Sequence, residues 1–201
     1  MASDHLPAKR RQILDGARKV FAEQGYERAT VDQIAARAGV SKATVYNHFE
    51  DKQALFVAAV VELCNDLGSS VPSGDDRTGD VEQELRTLGE EIMTLSLSPG
   101  AVSLYRQAIA EAQRIPEIGR LVFERGTVSG QQMVARHLSR WSESGALRID
   151  DPRSAAVAFI ALCQGDLLIR MRLGVLERPV DEQVRETVRR AVTIFARAHR
   201  P

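Results

Sequence analysis

The stretch Thr30 to Leu55 reads TVDQIAARAGVSKATVYNHFEDKQAL. Val31, Ile34, Ala35 and Ala38 share one face at helical spacing, which predicts a helix over Val31–Ala38. Thr30 precedes it as a hydroxyl acceptor for an orphan backbone N–H, and Gln33 completes a capping box. Gly39 stands where a left-handed residue closes a helix. Val40 is apolar in mid-turn and is expected to plug the space between two helices. Ser41 caps a second helix over 42–48. Helix, short glycine-bearing turn, helix is the helix-turn-helix arrangement, whose second helix enters the major groove of DNA.

An ordinary αα-hairpin would carry the same turn, so the second helix has to separate the two readings. Val45 and Phe49, four apart, anchor it to a core. Its other positions, Lys42, Ala43, Thr44, Tyr46, Asn47 and His48, are small or hydrogen-bonding, and no acid occurs from Ser41 to Phe49. A merely solvated face would carry more Glu and Lys. A polar face without acids suits phosphates and base edges.

The surrounding chain fits this reading. Its 201 residues suffice for one large or two small domains with a real core. Hydrophobic residues make up 44% and charged residues 27%, as in ordinary globular proteins, and formal net charge is zero. Residues 1–60 hold nine Lys+Arg against seven Asp+Glu, so the modest positive excess lies at this end. No apolar run approaches the roughly 20 residues of a membrane span. The start, MASDHLPAKRRQ, has no apolar core behind its charges, so no secretory signal is read. Both point to the cytoplasm and away from a membrane partner. Cys64 and Cys163 are expected as small buried hydrophobes.

A first helix begins near Pro7 and carries the stripe Ile13, Leu14, Ala17, Val20 and Phe21, with Gly25 ending it. Lys9, Arg10 and Arg11 at its start oppose the helix dipole, which favours a basic arm near phosphates over a solvated end. A fourth helix, from Asp51 to about Leu67, buries Leu55, Phe56, Ala59, Val60, Leu63 and Leu67. Gly68 to Asp80, GSSVPSGDDRTGD, reads as a flexible loop. A fifth helix carries Val81, Leu85, Leu88, Ile92 and Leu95, and a sixth Leu104, Tyr105, Ala108, Ile109 and Ala112. The seventh, 117–143, contains Gly126 and Gly130, which allow a kink or a close helix approach. The eighth, 152–173, is apolar around much of its circumference and so is expected to be buried on two sides. The ninth, 180–198, places Val184, Val188, Ala191, Val192 and Phe195 on one face.

Phosphate loops, HExxH, CxxC and GxSxG are absent, and His5, His48, His137 and His199 are scattered, so no enzyme, metal or cofactor is read. Asp166 and Arg170 suit an i, i+4 pair. Two other classes stay in view. A helical enzyme or ligand carrier with a structural hairpin would show turnover or ligand binding without DNA affinity. An adaptor would show an exposed apolar face and a monomer.

The run Thr30-Val31-Asp32-Gln33-Ile34-Ala35, Ala38-Gly39-Val40-Ser41, Thr44-Val45-Tyr46-Asn47-His48-Phe49, then Asp51-Lys52-Gln53-Ala54-Leu55 resembles the N-terminal domain of the TetR family of transcriptional regulators. The resemblance covers the first quarter of the chain. Glu111-Ala112-Gln113-Arg114-Ile115-Pro116-Glu117 and Gly145-Ala146-Leu147-Arg148-Ile149-Asp150-Asp151-Pro152 are similar to C-terminal domains of one TetR subgroup. It implies an all-α fold of about nine helices: a DNA-binding domain over 1–52, a connecting helix over 51–67, and a ligand-binding and dimerisation domain over 53–201. It implies a repressor that binds a palindromic operator on double-stranded DNA as a homodimer through helices eight and nine. A small-molecule effector would release it, with a tilt of helix four moving the reading head. By position, Thr30, Ser41, Tyr46 and Lys52 would hold phosphates, while Lys42, Ala43, Thr44, Asn47 and His48 would face bases. Met93, Tyr105, Phe123, His137, Trp141 and Asp166 are the pocket candidates.

Overall fold

A computed structural model describes the backbone of residues 5–69 and 80–201 and the side chains of 8–62 and 80–201. The described residues are all-helical: α1 (His5–Arg28), α2 (Val31–Ala38), α3 (Lys42–Tyr46), α4 (Lys52–Ser69), α5 (Val81–Ser96), α6 (Pro99–Glu111), α7 (Pro116–Leu121), a π-helical segment (Val122–Val128), α8 (Ser129–Glu143), α9 (Pro152–Gln164), α10 (Leu167–Arg172) and α11 (Asp181–Ala198). The expected 70–79 loop and the Cys64, Leu63 and Leu67 side chains lie outside the described residues.

Two compact units form. The first comprises the described residues through Asp66 with Ser103–Phe123; the second comprises Leu67–Val102 and Glu124–Pro201. The first unit therefore extends past the expected boundary at residue 52 and recruits part of α6 and α7. Leu104, Ala108, Ile115, Ile118 and Val122 join one core with Ile13, Leu14, Phe21, Ile34, Val45 and Phe56. Apolar stripes on α1, α2 and α4 meet there, and their burial is the main favourable term in packing these helices.

The second unit is built on α5, α8, α9 and α11. Phe159 and Phe195 meet edge to face with centroids 5.0 Å apart, amid Leu85, Met93, Val134, Leu138 and Val188. Gly89 lets α5 come close: a Cβ there would lie 2.7 Å from Val188 Cγ1 and 3.2 Å from Cys163 Sγ. Burial pushes the Cys163 thiol up to about 12, which suits a small hydrophobe in the core.

The two longest expected helices are subdivided. The seventh becomes α7, the π-helical segment and α8. A π-helical stretch shifts every following side chain around the axis, which periodicity alone does not register. The eighth breaks at Gly165, whose φ of 49° and ψ of −135° are not helical, giving α9 and α10. One side of α9 is buried within this chain, at Ala155, Ala156, Phe159 and Cys163, while Val157 on another is 47% exposed.

Candidate nucleic-acid interface

The helix-turn-helix is assembled from local bonds. Gln33 N donates to Thr30 Oγ1 at 3.2 Å and Thr30 N to Gln33 Oε1 at 2.9 Å, closing the capping box. Gly39 takes φ 64° and ψ 35°. Its N–H donates to Ala36 O and that of Val40 to Ala35 O, the paired bonds of a left-handed helix end. Val40 packs on the core beneath the turn. Thr44 N then donates to Ser41 Oγ at 3.1 Å, starting α3. The expected helix over 42–48 ends at Tyr46, because His48 N turns back to Val45 O at 3.0 Å.

α1 holds this pair from behind. Gln12 Nε2 donates to Ala38 O at 2.7 Å, and Gly16 meets Ala38 so closely that a Cβ would lie 2.9 Å from that of Ala38. Arg37 grips Glu23 through two 2.7 Å bonds, which hold the Glu23 carboxyl below the usual range.

What remains outward is the face read from the sequence. Val45 and Phe49 are buried. Lys42, Ala43, Tyr46 and Asn47 are exposed, Thr44 and His48 half-buried, and Tyr46 keeps 47% of its surface open to solvent. Lys42 Nζ donates to Asp32 Oδ2 at 2.9 Å, a bond that raises the lysine pKa. Such an exposed pair contributes little and exchanges readily for a phosphate. Arg10 lies over the Phe49 ring at 5.3 Å, which brings one cation of the basic N-terminal run to the end of α3.

Lys52 sits differently from expectation. Its ammonium donates to the carbonyls of Tyr26, Glu27 and Ala29 at 3.0, 3.2 and 3.1 Å and lies 4.4 Å from the Tyr26 ring centroid. Three donors meet three carbonyls, so in this structure Lys52 ties the start of α4 to the end of α1. Nothing within a few residues of Lys52 signals this, since its partners lie 23 to 26 positions away.

Of the six pocket candidates, Tyr105 and Phe123 belong to the first unit and the other four to the second. Phe123 is 58% exposed and Met93 fully buried in the core. Trp141 Nε1 donates to Glu84 Oε2 at 2.7 Å, and His137 lies beside the Trp141 ring with centroids 6.0 Å apart. Asp166, with 71% of its side chain exposed, makes the expected pair with Arg170 at 3.6 Å. A cleft of about 620 Å³ opens elsewhere in the second unit, lined by Thr94, Leu97, Met171 and Val184 among others, and holds none of the six. Among the described residues no group is placed to hold a metal, and no helix is long and apolar enough to cross a membrane.

The family model for bacterial regulatory proteins of the tetR family matches residues 13–59, and that for the C-terminal domain of AefR-like transcriptional repressors matches 83–201. The chain belongs to the TetR family. A helix-turn-helix transcriptional repressor of Mycobacterium tuberculosis is 52% identical over 62 residues, 31% of this chain and 33% of that protein. The chain thus spans about a third of the length of this curated relative. A putative TetR-family regulator of Mesorhizobium loti superposes with TM-score 0.90 at 23% identity, covering 97% of this chain and 98% of its own. The flavonoid-responsive regulator FrrA superposes with TM-score 0.80 at 28% identity, with the same two coverages. These likenesses account for the all-helical fold and the N-terminal helix-turn-helix of this TetR-family regulator.

Proposed function

We propose that this TetR-family chain is a cytoplasmic, homodimeric repressor that reads a palindromic operator with the exposed face of α3. The observation that carries the proposal is that face: acid-free, seated by Val45 and Phe49, with Lys42, Ala43, Tyr46 and Asn47 turned to solvent. Ser41 and Tyr46 hydroxyls are suited to phosphates, with Thr30 beside them at the start of α2. Lys42, Ala43, Thr44, Asn47 and His48 are suited to base edges.

One such helix reads too few base pairs to select a site, so a second copy is required, with half-sites about 34 Å apart. Exposed apolar positions on the two helices assigned to pairing support this: Val157 on α9 at 47% and Ile194 on α11 at 54%. The repressor reading draws support from the name of the mycobacterial relative, and control by a small molecule from that of the flavonoid-responsive neighbour. An effector acts by preferring the dimer conformation that does not fit the operator.

Titration of labelled operator over a salt series tests the docking. Tyr46→Ala is expected to weaken binding to all sequences, and Lys42→Ala to weaken it while relaxing preference at the base it faces. Wild-type affinity in both variants would rule the docking out.

A further inference from the structure

The run Glu111-Ala112-Gln113-Arg114 leads from the end of α6 into the link to α7. Glu111 is the one buried charged side chain among the described residues, 7% exposed. A buried carboxylate needs a partner, and its Oε2 accepts from Arg114 Nε at 3.1 Å and Nη2 at 2.8 Å. Arg114 reaches further. Its Nε lies 3.2 Å from Glu27 Oε1, and its guanidinium carbon lies 4.6 Å from the Tyr26 ring centroid.

Tyr26 and Glu27 are the residues whose carbonyls Lys52 already holds. The last turn of α1 is therefore gripped by two cations, Lys52 from the start of α4 and Arg114 from the α6–α7 link. Both lie over one aromatic ring, and Glu27 and Glu111 balance their charge. Cations are also favoured at a helix C-terminus. That turn departs from the body of α1 at Gly25, where φ is 76° and ψ 168°. Two residues beyond its end stands Thr30, the cap of α2. Whatever fixes residues 26–29 fixes where α2, and hence α3, begins.

We infer that Glu111 and Arg114 are positioning residues for DNA binding: a clamp that pre-sets the entry of the helix-turn-helix without touching DNA. This rests on the docking by α3 proposed above. The Arg114–Glu27 pair is exposed and contributes little to stability, and in the part-buried Glu111–Arg114 pair attraction largely offsets desolvation, so the clamp acts on placement. A reading head free to wander must be ordered on binding, and that ordering lowers affinity.

The test uses the full-length protein and a palindromic duplex selected from random DNA. Replacing Arg114 alone would leave Glu111 buried without a partner, so the main variant is the double Glu111→Gln, Arg114→Gln. It is expected to melt near the wild-type temperature, to bind about 3- to 30-fold more weakly, and to keep the wild-type salt slope, because no phosphate contact is lost. The amides of residues 27–30 should exchange faster, and Arg114→Lys, which keeps charge but not the planar fork, should fall between. Wild-type affinity in the double variant overturns the clamp. So does a salt slope lower by about one counterion, which would make Arg114 a phosphate contact, or a loss of affinity that merely follows a loss of melting temperature. Tyr46→Ala, titrated alongside, separates the two claims. If it binds like wild type, the docking fails; if it fails to bind while the double variant binds normally, only the clamp fails.

Discussion

The two units hold themselves together by different means. In the first, α2 and α3 are placed by directional bonds: the Thr30–Gln33 box, the left-handed Gly39, the Ser41 cap, Gln12 on Ala38 O, Arg37 on Glu23. In the second, α5, α9 and α11 are placed by shape, with Phe159, Phe195, Val188 and Gly89 interlocking at its centre. A unit that must present α3 at a fixed angle gains from bonds that set geometry. A unit that holds a large core gains from apolar area, which is strong and undirected. Mutations in the second unit should therefore cost stability, and mutations on the face of the first should cost binding.

The sharpest way to break that contrast is Phe159→Ala. Removing a fully buried ring should destabilise by about 3–5 kcal/mol, seen as a large fall in melting temperature. A mild effect would mean that the second core is loosely packed. Gly89→Ala comes next. Its Cβ would lie 2.7 Å from Val188 Cγ1, and such overpacking costs about 1–3 kcal/mol. Combining it with Val188→Ala should recover part of the loss in a double-mutant cycle.

Thr30→Ala removes a directional bond from the first unit and should cost about 1 kcal/mol in thermal or chemical melts. Smaller still is the pH response of His137. Burial, then Arg140 and Arg136, hold its pKa below the ordinary histidine value. The folded chain thus resists a proton that the unfolded chain accepts. Stability is full above about pH 6.5 and falls as pH drops from there to the lowered folded value. His137→Gln should flatten that limb of a stability-against-pH curve, and an unchanged limb would place the titration elsewhere. Tyr46→Ala stands at the end of the scale, with a stability change within about 0.5 kcal/mol and yet a loss of DNA binding.

The same contrast governs what the sequence discloses. Val31–Ala38 and its caps are legible because each bond spans three or four residues and leaves a local pattern. The apolar stripe of α11 is legible for a similar reason, since periodicity reports which face is buried. Lys52 and Arg114 are not legible as tethers. Their partners on the last turn of α1 are set by tertiary folding, and lysine or arginine at a helix end suits phosphate, water or carbonyl equally. The break at Gly165 and the π-helical turn at 122–128 escape because apolar residues resume past the glycine in each, at Leu167 and Val128, and a glycine inside a helical pattern need not end it. Among the pocket candidates, Met93 and Trp141 are buried in the core, and a buried aromatic or methionine answers packing as readily as a ligand.

The central claim is that the exposed face of α3 reads DNA sequence. Selection of bound duplexes from a random pool, run on the wild-type protein and on Asn47→Ala and Lys42→Ala, tests it most directly. The account predicts that the wild type enriches an inverted repeat with half-sites about 34 Å apart, and that each variant relaxes preference at particular positions within it. No enriched repeat, or the same preferences in all three proteins, would contradict it.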